Sequence, residues 1–302
     1  MKTEKYGKQL NLLLEMLPYA LKDERMALKG GTSINLFHRN FPRLSVDLDL
    51  CYLPLEDRKT SFHNIHQILS HIKSEVEHDL GFQVTPNNPL DGQKETKIFV
   101  KKGKIRIKIE PNYTVRGTLF SSQVLALSQK AQKAFGKYLE VKCVDLADAY
   151  GGKICAALDR QHPRDLFDVK YLLDNEGITE EIKDSFLFYL ISHNRPINEL
   201  LEPNFKNISE LYHNEFADMT NESVALDELI KVREQLINEV RSSLTEKDKT
   251  FLLSFISNNP DWSLVRDEKI KDYPSVKWKR LNQTKMEKTK REKYIEAVKN
   301  AF

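Results

Sequence analysis

The sequence predicts an α+β fold: a small mixed sheet flanked by helices, followed by an all-helical C-terminal domain. Three observations predict it. Short segments with period-two alternation of apolar and polar residues recur up to Val144. Between them lie segments with apolar residues at helical spacing, and from Thr179 onward only the helical pattern continues. The expected domains are therefore residues 1–176 and 177–302, parted near Asn175-Glu176-Gly177.

Each element follows from local pattern. Leu10, Leu13, Leu14 and Leu17 mark an amphipathic helix that Pro18 should end or kink. Met26–Lys29 reads as a strand running into the Gly30-Gly31 turn, and Thr32 to His38 as a short helix. From Ser45 to Tyr52, Val46, Leu48 and Leu50 alternate with Ser45, Asp47 and Asp49, which makes a strand with one polar face. Ile65, Ile68, Leu69, Ile72 and Val76 define the next helix, with Gly81 as its stop. Glu95–Lys101 and Lys104–Glu110 form a hairpin turning at Lys102-Gly103, with Ile105, Ile107 and Ile109 facing inward. Leu139–Val144 is a further strand, Asp145 an N-cap, and Pro163 the start of a helix through Leu173. Thr179, and Thr245 with Asp248, carry N-cap signatures for the helical half.

The chain has 302 residues and 40% hydrophobic content, enough for a substantial core. No N-terminal secretory pattern and no apolar run of about 18 residues is seen, so the expected setting is cytoplasmic with no membrane contact. Cys51, Cys143 and Cys155 show no C-x-x-C pair and are expected to be reduced and buried. The formal charge of +3 is uneven: Val276 to Phe302 carries a net +6, leaving −3 for the rest. Such a tail suits either a polyanion contact or a solvated helix face. Trp278 and Tyr294 within it suit either base stacking or packing. His63, His66 and His71 lack the rest of a coordination set and read as plain helix-surface residues.

Asp47 and Asp49 sit at i and i+2 on a strand, so both carboxylates point to one face. Glu110 lies on the polar face of another strand. Three carboxylates together form the oxygen-only donor set of a two-metal phosphoryl-transfer site, for which magnesium, or manganese, suits better than zinc. Glu110 equally suits an ion pair with Lys108 or Arg106 across the sheet. Ahead of the acidic strand, the bare backbone of Gly30 and Gly31 lets amide groups approach a phosphate, with the hydroxyls of Thr32 and Ser33 as further donors.

Four strings in this order resemble the AbiEii/AbiGii toxin family. They are Leu28-Lys-Gly-Gly-Thr-Ser-Ile-Asn-Leu-Phe37, Arg43-Leu-Ser-Val-Asp-Leu-Asp-Leu50, Gly152-Lys-Ile-Cys-Ala-Ala-Leu-Asp-Arg160 and Pro163-Arg-Asp-Leu-Phe-Asp168. The resemblance covers roughly residues 25–175 and implies a polymerase-β-like nucleotidyltransferase acting as a toxin of a toxin–antitoxin or phage-abortive-infection system. It implies that Gly31, Thr32 and Ser33 form the phosphate loop, that Asp47 and Asp49 are metal ligands, and that Lys153 meets the triphosphate of the NTP substrate. It further implies that Asp165 and Asp168 complete an acidic motif, with Arg164 a neighbouring phosphate contact. The gap from Gly31 to Asp47 is longer than in compact nucleotidyltransferases and holds a helix.

Lys153 also reads as a snorkelling surface lysine, and Asp165 as a helix-capping charge. The functions to be separated are transfer of a nucleoside monophosphate to RNA, transfer to a protein hydroxyl, and catalytically idle nucleotide binding through a partner. The resemblance implies a tRNA acceptor, at its 3′ end, and allows for an antitoxin protein.

Overall fold

The computed structural model describes residues 3–92, 94–220 and 222–302. Helix α1 (Thr3–Ala20) carries its leucines into the core, and it continues through Pro18 for two more residues instead of ending there. Strand β1 (Met26–Lys29) leads into α2 (Gly30–Ser33), which widens into a π-helical turn at Ile34–His38. Strand β2 (Asp47–Tyr52) follows, then α3 (Arg58–Leu80), capped by the Asp57 side chain and closed by Gly81 in the left-handed region.

Three short strands and a hairpin complete the sheet. They are β3 (Gln83–Pro86), β4 (Ile98–Lys102), β5 (Ile105–Asn112), β6 (Gln123–Ala126) and β7 (Glu140–Cys143), with α4 (Gln129–Phe135) between the last two. The seven strands run in the order β3-β4-β5-β2-β1-β7-β6. Pairing is mixed: β2 is parallel to β5 and β1 to β7, whereas the remaining neighbours are antiparallel. Helices α1 and α3 lie against this sheet, and their leucines and isoleucines share one core with Leu48, Leu50, Ile107 and Ile109. That burial fixes which face of β2 and β5 remains polar, because a one-residue slip would send every aspartate inward.

After β7 every described element is helical. They are α5 (Leu146–Arg160), α6 (Pro163–Leu173), α7 (Glu180–Ser192), α8 (Ile197–Leu201), α9 (Ser209–Glu215), α10 (Leu226–Ser243), α11 (Glu246–Ile256), α12 (Pro274–Thr284) and α13 (Lys288–Asn300), with two short 3₁₀ turns before α12. Their caps are the expected ones: Asp145 accepts from the Ala147 amide, Pro163 opens α6, and Thr179 caps α7. Thr245 and Asp248 form a reciprocal capping box at α11. The α+β class is thus what the chain adopts.

By internal contacts the chain divides into two compact units. One runs to Ala149 and includes the short return Asp218–Ser223; the other comprises Tyr150–Ala217 and Val224–Phe302. The return segment belongs to the sheet unit through the Leu44 amide, which donates to the Met219 carbonyl at 2.7 Å. All three cysteines are free and buried, and burial pushes the thiols up, to about 11 for Cys51 and about 12 for Cys143. Among the described residues no helix is long and apolar enough to cross a membrane.

Candidate active site

The sheet unit builds one polar face from three strand ends. Strands β2 and β5 are parallel, with Asp47 opposite Lys108 and Asp49 opposite Glu110. Antiparallel pairing of β1 sets Lys29 beside Asp49, so the glycine turn that follows Lys29 begins at the acidic strand. Gly30 has φ +71°, and a Cβ there would stand 2.6 Å from Oδ2 of Asp49. The glycine is required twice over, by its backbone conformation and by the carboxylate pressed against it.

The rest of the turn is tied to the same strand. Thr32 is buried and its hydroxyl donates to the Asp47 carbonyl at 2.6 Å, with Ser45 Oγ 2.9 Å away. Ser33 is wholly buried. A Cβ on Gly31 would meet the Arg43 guanidinium at 2.8 Å, so a buried arginine stands directly against this glycine.

Electrostatics on this face are dominated by two lysines. Lys108 lies 2.6 Å from Glu110 Oε2 and 3.9 Å from Asp47 Oδ2, and Lys97 lies 3.2 Å from Glu110 Oε1. Partial burial opposes charge on Glu110, but the hydrogen bond and charge of Lys108, joined by Lys97, outweigh it and hold the carboxyl below its ordinary value. For Lys108, burial works against the ammonium, and the Glu110 hydrogen bond with the charges of Asp47, Asp49 and Glu110 turns the balance upward.

Glu110 therefore has both oxygens on lysines: Lys108, two residues back on its own strand and one of the two partners the strand pattern allowed, and Lys97, which it did not; Arg106 is not the partner. Among the described residues no three His, Cys, Asp or Glu side chains are grouped so that they could hold a metal ion. The donor chemistry of the face still suits a hard divalent cation, since it offers oxygen ligands alone and sets Asp47 and Asp49 on one side of one strand.

The other residues singled out in the sequence fall in the helical unit. Lys153 on α5 is only 6% exposed, and its ammonium lies 2.8 Å from Asp165 and 3.0 Å from Asp168, both on α6 and both buried. It is not a snorkelling surface lysine. Arg160 adds a second cation, donating from Nη2 to Asp165 at 2.9 Å. Burial alone would raise the Asp165 carboxyl, yet the charges and hydrogen bonds of Lys153 and Arg160 drive it well below the usual carboxylate range. Arg164 instead faces Glu215, at 3.6 Å, and His162 bonds the same carboxylate.

Sequence reading offered Lys108 as a partner of Glu110 but missed Lys97 beside it, and it missed Arg43 as the side chain against Gly31. A signal for Lys97 existed: the hairpin pairs Lys102 with Ile105 and Ile98 with Ile109, and counting one step further sets Lys97 opposite Glu110.

No curated protein matches the chain. Among solved structures the chain is similar to MenT4, a nucleotidyltransferase toxin from Mycobacterium tuberculosis H37Rv, with a TM-score of 0.59 and 16% identity over 97% of this chain and 92% of that one. At that identity the likeness speaks for the fold. A family model described as nucleotidyl transferase AbiEii toxin, type IV TA system, matches residues 11–280. Spanning the glycine turn, the acidic strand, the Lys153 cluster and most of the helical unit, that match shows that the chain belongs to the AbiEii family of nucleotidyltransferase toxins of type IV toxin–antitoxin systems.

Proposed function

We propose that this nucleotidyltransferase moves a nucleoside monophosphate from a nucleoside triphosphate to RNA, with tRNA as acceptor, in a reaction that depends on magnesium or manganese. The observation that carries the reading is the strand register that pairs Asp49 with Glu110 and leaves Asp47 on the same face, beside the Gly30-Gly31 turn. A divalent ion held by Asp47 and Asp49 would lower the pKa of the attacking hydroxyl and offset charge on the departing pyrophosphate.

The chain's own groups do the positioning. A hydroxyl of the acceptor gives its proton to water, its oxygen bonds to the α-phosphorus, the bond from that phosphorus to the bridging oxygen breaks, and pyrophosphate leaves. Backbone amides of Gly30, Gly31, Thr32 and Ser33 are assigned to the phosphates. Asp47, Asp49 and Glu110 are the assigned metal ligands, Glu110 joining once Lys97 and Lys108 release it, and the freed lysines then suit the polyphosphate. Lys153 is assigned to the triphosphate, with Asp165 and Asp168 holding its ammonium in one orientation, and Arg164 is the further phosphate contact. The basic tail favours RNA over protein as acceptor. Family membership brings an antitoxin partner, and the tRNA pool sets the reaction in the cytoplasm.

The test supplies α-labelled nucleoside triphosphates, one at a time, with total cellular RNA and total cellular protein. Label should enter RNA of tRNA size, be released by ribonuclease, and vanish with a chelator. Label in protein alone would make a protein hydroxyl the acceptor, and no label in either would leave an idle nucleotide-binding module.

A further inference from the structure

The helical unit contains a cavity of about 400 Å³ walled by α12, α13 and the turn from Ser192 to Asn198. That size falls within the range of about 300–1,000 Å³ typical of small-molecule sites. One wall is the indole of Trp278, which is 54% exposed although it is a large apolar ring. Facing surfaces come from Met286, Ala297 and the ring of Tyr294, whose hydroxyl is fixed by accepting from the Ile197 amide at 2.8 Å.

Charge at this cavity has one sign. Lys279, Lys290 and Lys293 line it, and no acidic residue does so among the described residues. Lys279 donates to the carbonyls of His193 and Arg195, each at 2.6 Å, and is thereby fixed at the wall. Lys290 and Lys293 are exposed.

Gln283 is the decisive residue. It lines the cavity and is 3% exposed, yet among the described residues neither its side-chain oxygen nor its amide nitrogen has a hydrogen-bond partner. Its backbone is pinned, because Arg291 donates to its carbonyl at 2.9 Å. Buried amides are nearly always paired, so an unpaired one in a cavity wall calls for a ligand that brings both an acceptor and a donor. A nucleobase edge does that, its faces suit an indole and a phenol ring, and its phosphate suits lysines. An acidic peptide would meet the lysines and pair with the amide through its backbone, but its carboxylates bring no flat face for the indole of Trp278.

We propose that this cavity takes one unpaired nucleotide, its base stacked on Trp278 and bonded to the Gln283 amide, its phosphate toward Lys290 and Lys293. The choice of an RNA strand over a free mononucleotide as the source rests on the RNA-acceptor reading above. The cavity would then hold the acceptor strand by a nucleotide remote in sequence from the acidic strand.

The test is a binding measurement on the full chain without triphosphate, reading Trp fluorescence and the anisotropy of a labelled single-stranded RNA of about ten nucleotides. The strand should bind and quench fluorescence, and the quench should disappear in Trp278→Phe while binding persists. Gln283→Leu should weaken the strand about tenfold, and so should Trp278→Ala. Because Gln283→Leu replaces an unpaired buried amide by an apolar side chain of similar size, its melting temperature should not fall, which separates lost recognition from lost folding. Adenosine monophosphate should bind more weakly than the strand; equal affinity would overturn the strand as the source. Unchanged affinity in Gln283→Leu, or quenching that survives in Trp278→Phe, would overturn the site itself. If the site fails while the same proteins still label RNA, the acceptor reading stands without it.

Discussion

Gly30 and Asp49 are locked together: a Cβ on the glycine would overlap the aspartate's Oδ2 at 2.6 Å, and the glycine's φ of +71° excludes most other residues in any case. The turn assigned to phosphate and the strand assigned to metal are therefore one structural object. Gly30→Ala should abolish nucleotidyl transfer and cost about 1–2 kcal/mol of stability from the backbone alone. Gly103→Ala is the control, since Gly103 has φ +60° with nothing within 4 Å. It should lose the backbone share alone in urea unfolding, about 1–2 kcal/mol, yet retain turnover. Equal turnover in the two variants would mean that the contact with Asp49 carries no function.

The Lys153 cluster should behave as a buried ion network. Lys153→Met leaves Asp165 and Asp168 buried without their shared cation, and loss of one partner from such a site costs about 3–5 kcal/mol. Combining it with Asp165→Asn and Asp168→Asn should recover much of that loss. An unchanged urea midpoint for Lys153→Met would show that the cluster is not coupled as its geometry indicates.

The same cluster sets an acid limb. The Asp165 carboxyl is depressed in the folded state, so its contribution to stability is complete above its ordinary value of 3.8 and is lost as pH falls from there toward the folded value. Asp165→Asn should flatten the decline in melting temperature below about pH 4. A parallel decline in variant and parent would locate the acid sensitivity elsewhere.

Much of the sheet was legible in the sequence because strands β2, β4 and β5 have one face in the core and one outside, which imposes a period of two. The edge strands β3 and β6 were not. In β3 only Val84 is buried, and in β6 no residue is, so neither carries an alternation to read. Helix α4 is seven residues with Ala131 alone buried, too short and too polar to announce itself. For the site, residue spacing set Asp47 and Asp49 on one face, but the partner of Glu110 depends on strand register. The enclosure of Lys153 depends on how α6 returns along α5, and neither relation is local in the chain.

Lys108 and Glu110 should trade places as competitor and ligand. Lys108 sits 2.6 Å from Glu110 and 3.9 Å from Asp47, where a cation is favoured. Lys108→Met should tighten manganese binding measured by paramagnetic relaxation, because a competing charge is gone. Glu110→Gln should lower turnover far more than triphosphate affinity, since binding survives on Asp47 and Asp49. Equal losses of both, with manganese affinity unmoved by either change, would confine Glu110 to its ion pairs.

Nucleotidyl transfer by Asp47→Asn, Asp49→Asn and the double variant tests the central claim most directly, with labelled triphosphate and total RNA as substrates. Both carboxylates sit on one face of β2 and are assigned to one metal cluster, so each single change should remove transfer while leaving the melting temperature near that of the parent. The double change should be no worse than either alone, as for residues that act as a unit. Near-parental labelling by Asp47→Asn, or losses that multiply in the double variant, would contradict the account of the acidic strand as the seat of the chemistry.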